Sequence, residues 1–475
     1  MNILMMSNTY TPILGGLEKS IRTFMLQFRK LGHKVVLVVP EMKGSPEKEY
    51  GVLRLPAIQN FSGTDFSVNL PIPGLLSKLV DSFKPDIVHA HHPFLMGDMA
   101  LRLAGQYRIP LVYTYHTMFD QYHYLRVGDD AMKQFLTKLS LGYSNLADCV
   151  IAPSKSVRDI LIKNEVKTRI HVVPTGINIR VFTDGSGKKL RSRLKIPPSA
   201  FLVGHVGRLA PEKNLEFLAR SAARFVKQNK KAYFLVIGKG SSRKIIKTIF
   251  KKEDIEDRLR LVGVLKGEKL VEGYRAMDVF AFASESETQG IVITEAMAAG
   301  TPVVALDAPG VREVVKDRQN GRLIYSESEK RFAYALAWCA DQNVREWKKI
   351  KLEARRTAEH FSIASTVNRA LRVYQITKAR NYTPSRIRRS QWHRVMGRVK
   401  TEWHLLTNIT KATGAALAET VVSKESEHGS VASDHELKKP GPVGEIRNSS
   451  ELSDNSNKKS AFPRFDFNLR LFKKR

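Results

Sequence analysis

Short unbroken apolar runs alternate along the chain with longer stretches whose apolar positions recur at helical spacing. Through residue 183 the runs are Ile3–Met6, Lys34–Pro40, Asp86–His89, Leu111–Tyr115, Cys149–Ala152 and His171–Pro174. Continuous apolar runs of this kind mark parallel strands buried on both faces. The intervening segments, such as Glu18–Leu31, carry the helical pattern. Strands alternating with helices predict a parallel sheet covered by helices on both sides. Asn178–Phe182 and the following GSGKK read as a linker. A second series then begins: Phe201–Val206, Tyr233–Ile237, Leu261–Val264, Val279–Ala283 and Pro302–Ala305, with Asn214–Lys227 and Ile291–Ala299 as helices. The pattern predicts an α/β protein of two Rossmann-like, doubly wound domains, 1–183 and 184–361. Residues 331–378 read as helices, and a basic, largely disordered tail is expected over 379–475.

Composition agrees with this division. A chain of 475 residues with 43% hydrophobic residues suits two or three domains with real cores. Cys149 and Cys339 lie far apart without metal-ligand spacing, so two buried thiols in a reducing compartment are expected. The start, MNILMMSNTYTP, lacks the basic and long apolar regions of a signal peptide and reads as a first strand. No apolar stretch reaches the roughly 20 residues that cross a bilayer. A cytoplasmic protein is expected, free or peripheral on the inner face of the membrane.

The net charge of +32 changes the picture. Residues 379–475 hold 19 Lys/Arg against 10 Asp/Glu, so most of the excess lies on the body. A basic surface of this size favours a polyanion, and charge alone does not choose between nucleic acid and an anionic membrane. In the tail, 381–405 is basic with Trp392 and Trp403 interleaved. Residues 420–460 have the polar composition of a disordered segment.

Chemistry concentrates where strands end, as ligands of doubly wound sheets do. Gly15 and Gly16 follow the first strand and precede a helix. This is either a plain tight turn or a close approach of backbone to an anion. Arg208 and Lys213, in GRLAPEKN, place a planar fork and a mobile ammonium after a strand, a pairing suited to a diphosphate; a solvated loop is the bland alternative. In ESETQGIVITEAMAAGTPVVA, Glu287 lies on a loop and Glu295 in the second turn of the helix that begins near Ile291. A buried helical carboxylate can accept both hydroxyls of a ribose, and the N–H groups of Gly290, Ile291 and Val292 can face phosphate. Two surface glutamates would fit poorly with the small and apolar neighbours of Glu295. His116 follows another strand and sits where such a domain places its ligand. No Asp-x-Asp pair, Walker lysine or G-x-S-x-G elbow is present at a strand end. His89, His91 and His92 are a weak metal candidate, because neighbouring strand residues face opposite ways.

These motifs together resemble the retaining family-four glycosyltransferases of GT-B fold over residues 1–378. The resemblance rests on Gly15-Gly16, VVPTGIN, GRLAPEKN and SESETQGIVITEAMAAGTPVVA. It implies two domains facing a cleft, with residues 362–378 crossing back to the first. It assigns Arg208 and Lys213 to a diphosphate clamp, Glu295 to the ribose, Glu287 to the donor sugar and Gly290, Ile291 and Val292 to backbone contacts with phosphate and sugar. It also implies that Gly16 lies beneath the diphosphate and that His116 lies near the transferring sugar. YTYHTMFDQYHYL is similar to a stretch of enzymes that glycosylate diacylglycerol, where the paired tyrosines would be Tyr122 and Tyr124 of an acceptor site. The resemblance therefore implies transfer of a hexose, such as glucose from UDP-glucose, to a membrane lipid such as 1,2-diacylglycerol. No metal, cofactor or nucleic-acid partner is expected, and an anionic membrane surface is. The alternatives are a soluble glycosyltransferase making a polysaccharide or glycoside, a mannosyl- or galactosyltransferase acting on another lipid, and a non-catalytic binder that reuses the fold.

Overall fold

The computed structural model describes residues 1–13, 15–58, 68–69, 75–119, 130–380 and 400–415. The first sheet has seven parallel strands in the order β3-β2-β1-β6-β7-β8-β9. They are β1 (Asn2–Met6), β2 (Lys34–Pro40), β3 (Val52–Leu55), β6 (Ile87–Ala90), β7 (Leu111–Thr114), β8 (Cys149–Ala152) and β9 (Ile170–Val172). Two short strands, β4 (Ala57–Ile58) and β5 (Val68–Asn69), pair antiparallel beside it. The second sheet runs β12-β11-β10-β13-β14-β15, also parallel. Its strands are β10 (Phe201–Val206), β11 (Ala232–Ile237), β12 (Leu259–Gly263), β13 (Val279–Phe282), β14 (Val303–Leu306) and β15 (Gly321–Ile324).

Strand alternation explains why both faces are apolar. Leu4, Met6, Val36 and Val38 enter one core of the first sheet, and Ile3, Met5, Val35, Leu37 and Val39 enter the other. In the second sheet Leu202, Leu235 and Phe280 face one core, and Val203, Phe234 and Val279 the opposite one. A charge on either face would be stranded without water.

The chain passes between the domains twice, and the two passages lie side by side. Ile177 N–H donates to the carbonyl of Phe361 at 2.9 Å, and Ile363 N–H donates to the carbonyl of Ile177 at 3.1 Å. A Cβ at Gly176 would strike the Ile363 Cα at 2.6 Å, so glycine is what lets the two strands of chain approach. Beyond the crossing, helix Ile363–Arg380 buries Val367, Ala370, Val373 and Tyr374 against Ile3 and Phe28 of the first domain. The preceding helix, Val344–Glu359, buries Ala354 and Ala358 in the second.

One reading of the sequence needs correcting. The stretch read as a linker holds two short helices, Ile179–Thr183 and Lys188–Arg193, anchored by buried Phe182 and Leu190 in the second core. Polar composition hid these single anchors. Within the tail, residues 400–415 are helical and pack on the first domain through Leu405. Trp392, segment 420–460 and the Phe-rich end lie outside the described residues. Cys149 and Cys339 are both buried and unpaired with each other. Among the described residues, no helix is long and apolar enough to cross a membrane.

Candidate active site

The strand order reverses at two places. β1 lies between β2 and β6, and β10 lies between β11 and β13. Adjacent loops leave in opposite directions at such points and open a crevice at the carboxyl ends of the strands. The first crevice is edged by the loop carrying Gly15 and by His91–His92. The second is edged by the Arg208–Lys213 loop and by Ala283–Gly290.

In the second domain the two loops meet through a charge pair. Lys213 Nζ lies 2.6 Å from Glu287 Oε1, both side chains being largely shielded from water. Arg208 is more exposed and turns to Glu212, with Nη2 2.5 Å from Oε1. The Ser284 hydroxyl donates to the carbonyl of Glu212 at 3.3 Å and holds the two loops together. Thus Lys213 and Glu287 are brought together, whereas Arg208 engages a carboxylate the sequence did not single out.

Gly290 caps helix Ile291–Ala298 with φ +70, a left-handed conformation that glycine adopts without strain. No side chain caps this helix start. Its first N–H groups, on Ile291 and Val292, have no intrahelical acceptor and suit an anion. A Cβ at Gly16 would lie 3.6 Å from Ile291 Cδ1, so the glycine loop of the first domain faces this helix start across the interface.

Glu295, one turn further along, is buried. The Tyr274 hydroxyl donates to its Oε2 at 2.9 Å, and Lys19 of the first domain pairs with its Oε1. Partial desolvation pushes the half-buried Lys19 ammonium down to about 8. Nearby, the Gln289 amide bridges the domains: Thr175 N–H donates to Gln289 Oε1 at 2.6 Å, and Gln289 Nε2 donates to the Thr175 carbonyl at 2.8 Å. Lys19, Tyr274 and Thr175 carried no legible signal, because each acquires its role from a partner distant in sequence, whereas Glu212 lies only four residues from Arg208.

The first domain contributes a histidine cluster beside its crevice. His116 Nε2 lies 3.0 Å from His91 Nδ1, with the rings stacked. His89 is held by Thr114 at 2.7 Å and by Tyr374 of the crossing helix at 2.6 Å. Asn8 N–H donates to His92 Nδ1 at 3.1 Å. A cavity lined by Ser20, His89, His91, His116, Thr175 and Tyr374 joins these groups. Burial drives His89 and His92 down to about 3 and holds His91 and His116 well below the usual imidazole range. His116 is therefore a neutral hydrogen-bonding group. Among the described residues, no three His, Cys, Asp or Glu side chains are disposed to share a metal ion. Tyr122 and Tyr124 lie outside the described residues.

Known proteins share this fold. Residues 14–181 match the family model for Glycosyltransferase Family 4, and residues 187–357 match the model for Glycosyl transferases group 1. The alpha-monoglucosyldiacylglycerol synthase of Streptococcus pneumoniae is 29% identical over 73% of this chain and 80% of its own. A GDP-mannose-dependent alpha-mannosyltransferase of Mycolicibacterium smegmatis is 28% identical over 75% of this chain and 92% of its own. Among solved structures, HepE from Anabaena, in complex with UDP and glucose, superposes with a TM-score of 0.64 at 22% identity, covering 79% of this chain and 99% of that one. The two parallel-sheet domains are thus a GT-B fold, and the chain is a glycosyltransferase belonging to the family-four enzymes.

Proposed function

We propose that the chain moves a hexose, with retention and without a divalent metal, from a nucleotide diphosphate sugar to a membrane lipid. The best-supported pairing is glucose from UDP-glucose and 1,2-diacylglycerol as acceptor. The observation that carries the donor half is the juxtaposition of Lys213 with Glu287 and of Gly16 with the open helix start at Ile291. Glu295 would receive the ribose hydroxyls, and the helix N–H groups with Arg208 and Lys213 would hold the diphosphate.

In this reading the acceptor hydroxyl attacks the anomeric carbon on the face from which the nucleotide departs. The bond to the diphosphate breaks as the new glycosidic bond forms, and the hydroxyl proton passes to a diphosphate oxygen. Arg208 and Lys213 stabilise the negative charge that grows on the leaving group. Glu287 and neutral His116 orient the sugar. The lipid half rests on the segment around His116, YHTMF, and on the names of relatives that include diacylglycerol glucosylation. The charge of +32 favours residence on an anionic membrane surface rather than on nucleic acid, since the cleft is built for sugar transfer. A mannosyl donor is the second reading, favoured by the mannosyltransferase relatives.

The test is a product assay pairing UDP-glucose, UDP-galactose or GDP-mannose with diacylglycerol vesicles. An α-glucosyl lipid formed from UDP-glucose is expected. Product from GDP-mannose alone, or transfer only to soluble sugars, would replace this reading.

A further inference from the structure

Helix 400–415 presents its apolar residues the wrong way round for a helix that only supports the fold. Its inward positions are Thr401, Leu405, Asn408 and Ala412, all buried. The fit is close: Asn408 Nδ2 donates to the carbonyl of Leu139 at 3.2 Å, and any side chain at Gly142 would collide with Asn408. Arg102 grips Glu402 with two bonds of 2.6 and 3.1 Å. The three largest apolar side chains point outward instead. Trp403 is 70% exposed, Leu406 61% and Ile409 43%. Their spacing of three residues puts them along one stripe of the helix.

Charge around this stripe has one sign. Glu402, the sole carboxylate of the helix, is engaged by Arg102. Lys400 and Lys411 are exposed. Directly before the helix the sequence carries Arg386, Arg388, Arg389, Arg394 and Arg398, with no Asp or Glu from 380 to 401. An exposed Trp-Leu-Ile stripe preceded in the sequence by a purely basic segment matches the interfacial zone of an anionic bilayer, where indole sits at headgroup depth and cations meet lipid phosphates.

We propose that the outer face of helix 400–415, through Trp403, Leu406 and Ile409, lies in the headgroup region of an anionic lipid bilayer and seats the first domain on the membrane. This surface deepens the lipid-acceptor reading above and rests on it only for the purpose of seating. Because the inward face is fixed to the first domain, inserting the outer face brings that domain to the lipid.

The test uses the full chain carrying Leu406→Cys labelled with an environment-sensitive fluorophore. The native thiols are each 2% exposed, so labelling is confined to the new site. Vesicles of phosphatidylcholine with phosphatidylglycerol should shift the emission to the blue, and pure phosphatidylcholine should do so far less. The variant Trp403→Ser/Leu406→Ser/Ile409→Ser should partition onto anionic vesicles about tenfold more weakly or worse, since each side chain adds apolar contact at the interface. Its thermal midpoint should stay near that of the parent, because these side chains are exposed. Unchanged partitioning of the triple variant overturns the proposal. So does a label already in an apolar setting without vesicles, which would mean that the chain's own Phe-rich end or a second copy covers the stripe. Transfer to diacylglycerol dispersed in detergent separates the two readings. Its absence in the parent sinks the acceptor assignment while leaving a vesicle-dependent shift, and its retention in a variant that binds vesicles normally sinks the seating surface alone.

Discussion

Lys19, in the first turn after the glycine loop, pairs with Glu295 of the opposite domain, on a carboxylate oxygen left over by Tyr274. A ribose taking both oxygens of Glu295 must displace this ammonium. Glu295→Ala should weaken UDP binding by about 1.5–3 kcal/mol, the worth of a hydrogen bond to a charged group. Competitive amine labelling should show Lys19 gaining reactivity when UDP is added. Calorimetry giving the same UDP affinity for Glu295→Ala as for the parent would refute the ribose assignment.

The Lys213–Glu287 pair makes a different prediction, because the proposal assigns its members to different parts of the donor. Lys213→Ala should lower turnover, through loss of a charge stabilising the leaving diphosphate. Glu287→Ala should depress transfer while leaving binding of free UDP within about threefold, a difference of well under 1.4 kcal/mol. Equal losses of UDP affinity and turnover in Glu287→Ala would place that carboxylate on the nucleotide instead.

If, as proposed, Arg208, Lys213 and helix N–H groups neutralise the diphosphate, transfer should continue in excess EDTA. The measurement is product formation with and without chelator. Abolition by EDTA and recovery with magnesium or manganese would refute it.

The buried histidines predict acid sensitivity. His89 and His92 titrate at about 3 and His205 at about 4 in the folded chain, against 6.5 for an ordinary imidazole. Below pH 6.5 the unfolded chain takes up protons that the folded chain refuses, so stability is complete above that value and falls as pH drops. Each such group removes about 1.4 kcal/mol per pH unit once below its unfolded pKa. The thermal midpoint should therefore decline steeply between about pH 6.5 and 5, and His89→Gln should flatten the decline. A midpoint independent of pH across this range would show that the cluster is not held neutral.

Electrostatic attachment to membranes should respond to salt. Cosedimentation with anionic vesicles should fall as ionic strength rises, because the screening length shrinks from about 10 Å at 0.1 M to about 3 Å at 1 M. Equal binding to neutral and anionic vesicles would argue that charge plays no part.

Local chemistry was legible in the sequence itself. The apolar runs became strands within a residue or two, because a strand buried on both faces is apolar at most positions, as Lys34–Pro40 and Val303–Leu306 show. The Gly290 cap and the helix carrying Glu295 followed equally from local rules of turn and helix. Short elements escaped, among them Ile179–Thr183 and Gly321–Ile324, since one buried anchor or a four-residue strand leaves little pattern. Only the tertiary structure decided the strand order, and with it the two crevices. It alone joined Lys19 to Glu295, Gln289 to Thr175 and Tyr374 to His89. It also turned Trp403 outward on a helix whose inner face is fixed by Asn408 and Glu402. The physical reason is that such contacts depend on which distant surfaces meet, and sequence periodicity reports only which face of an element is apolar.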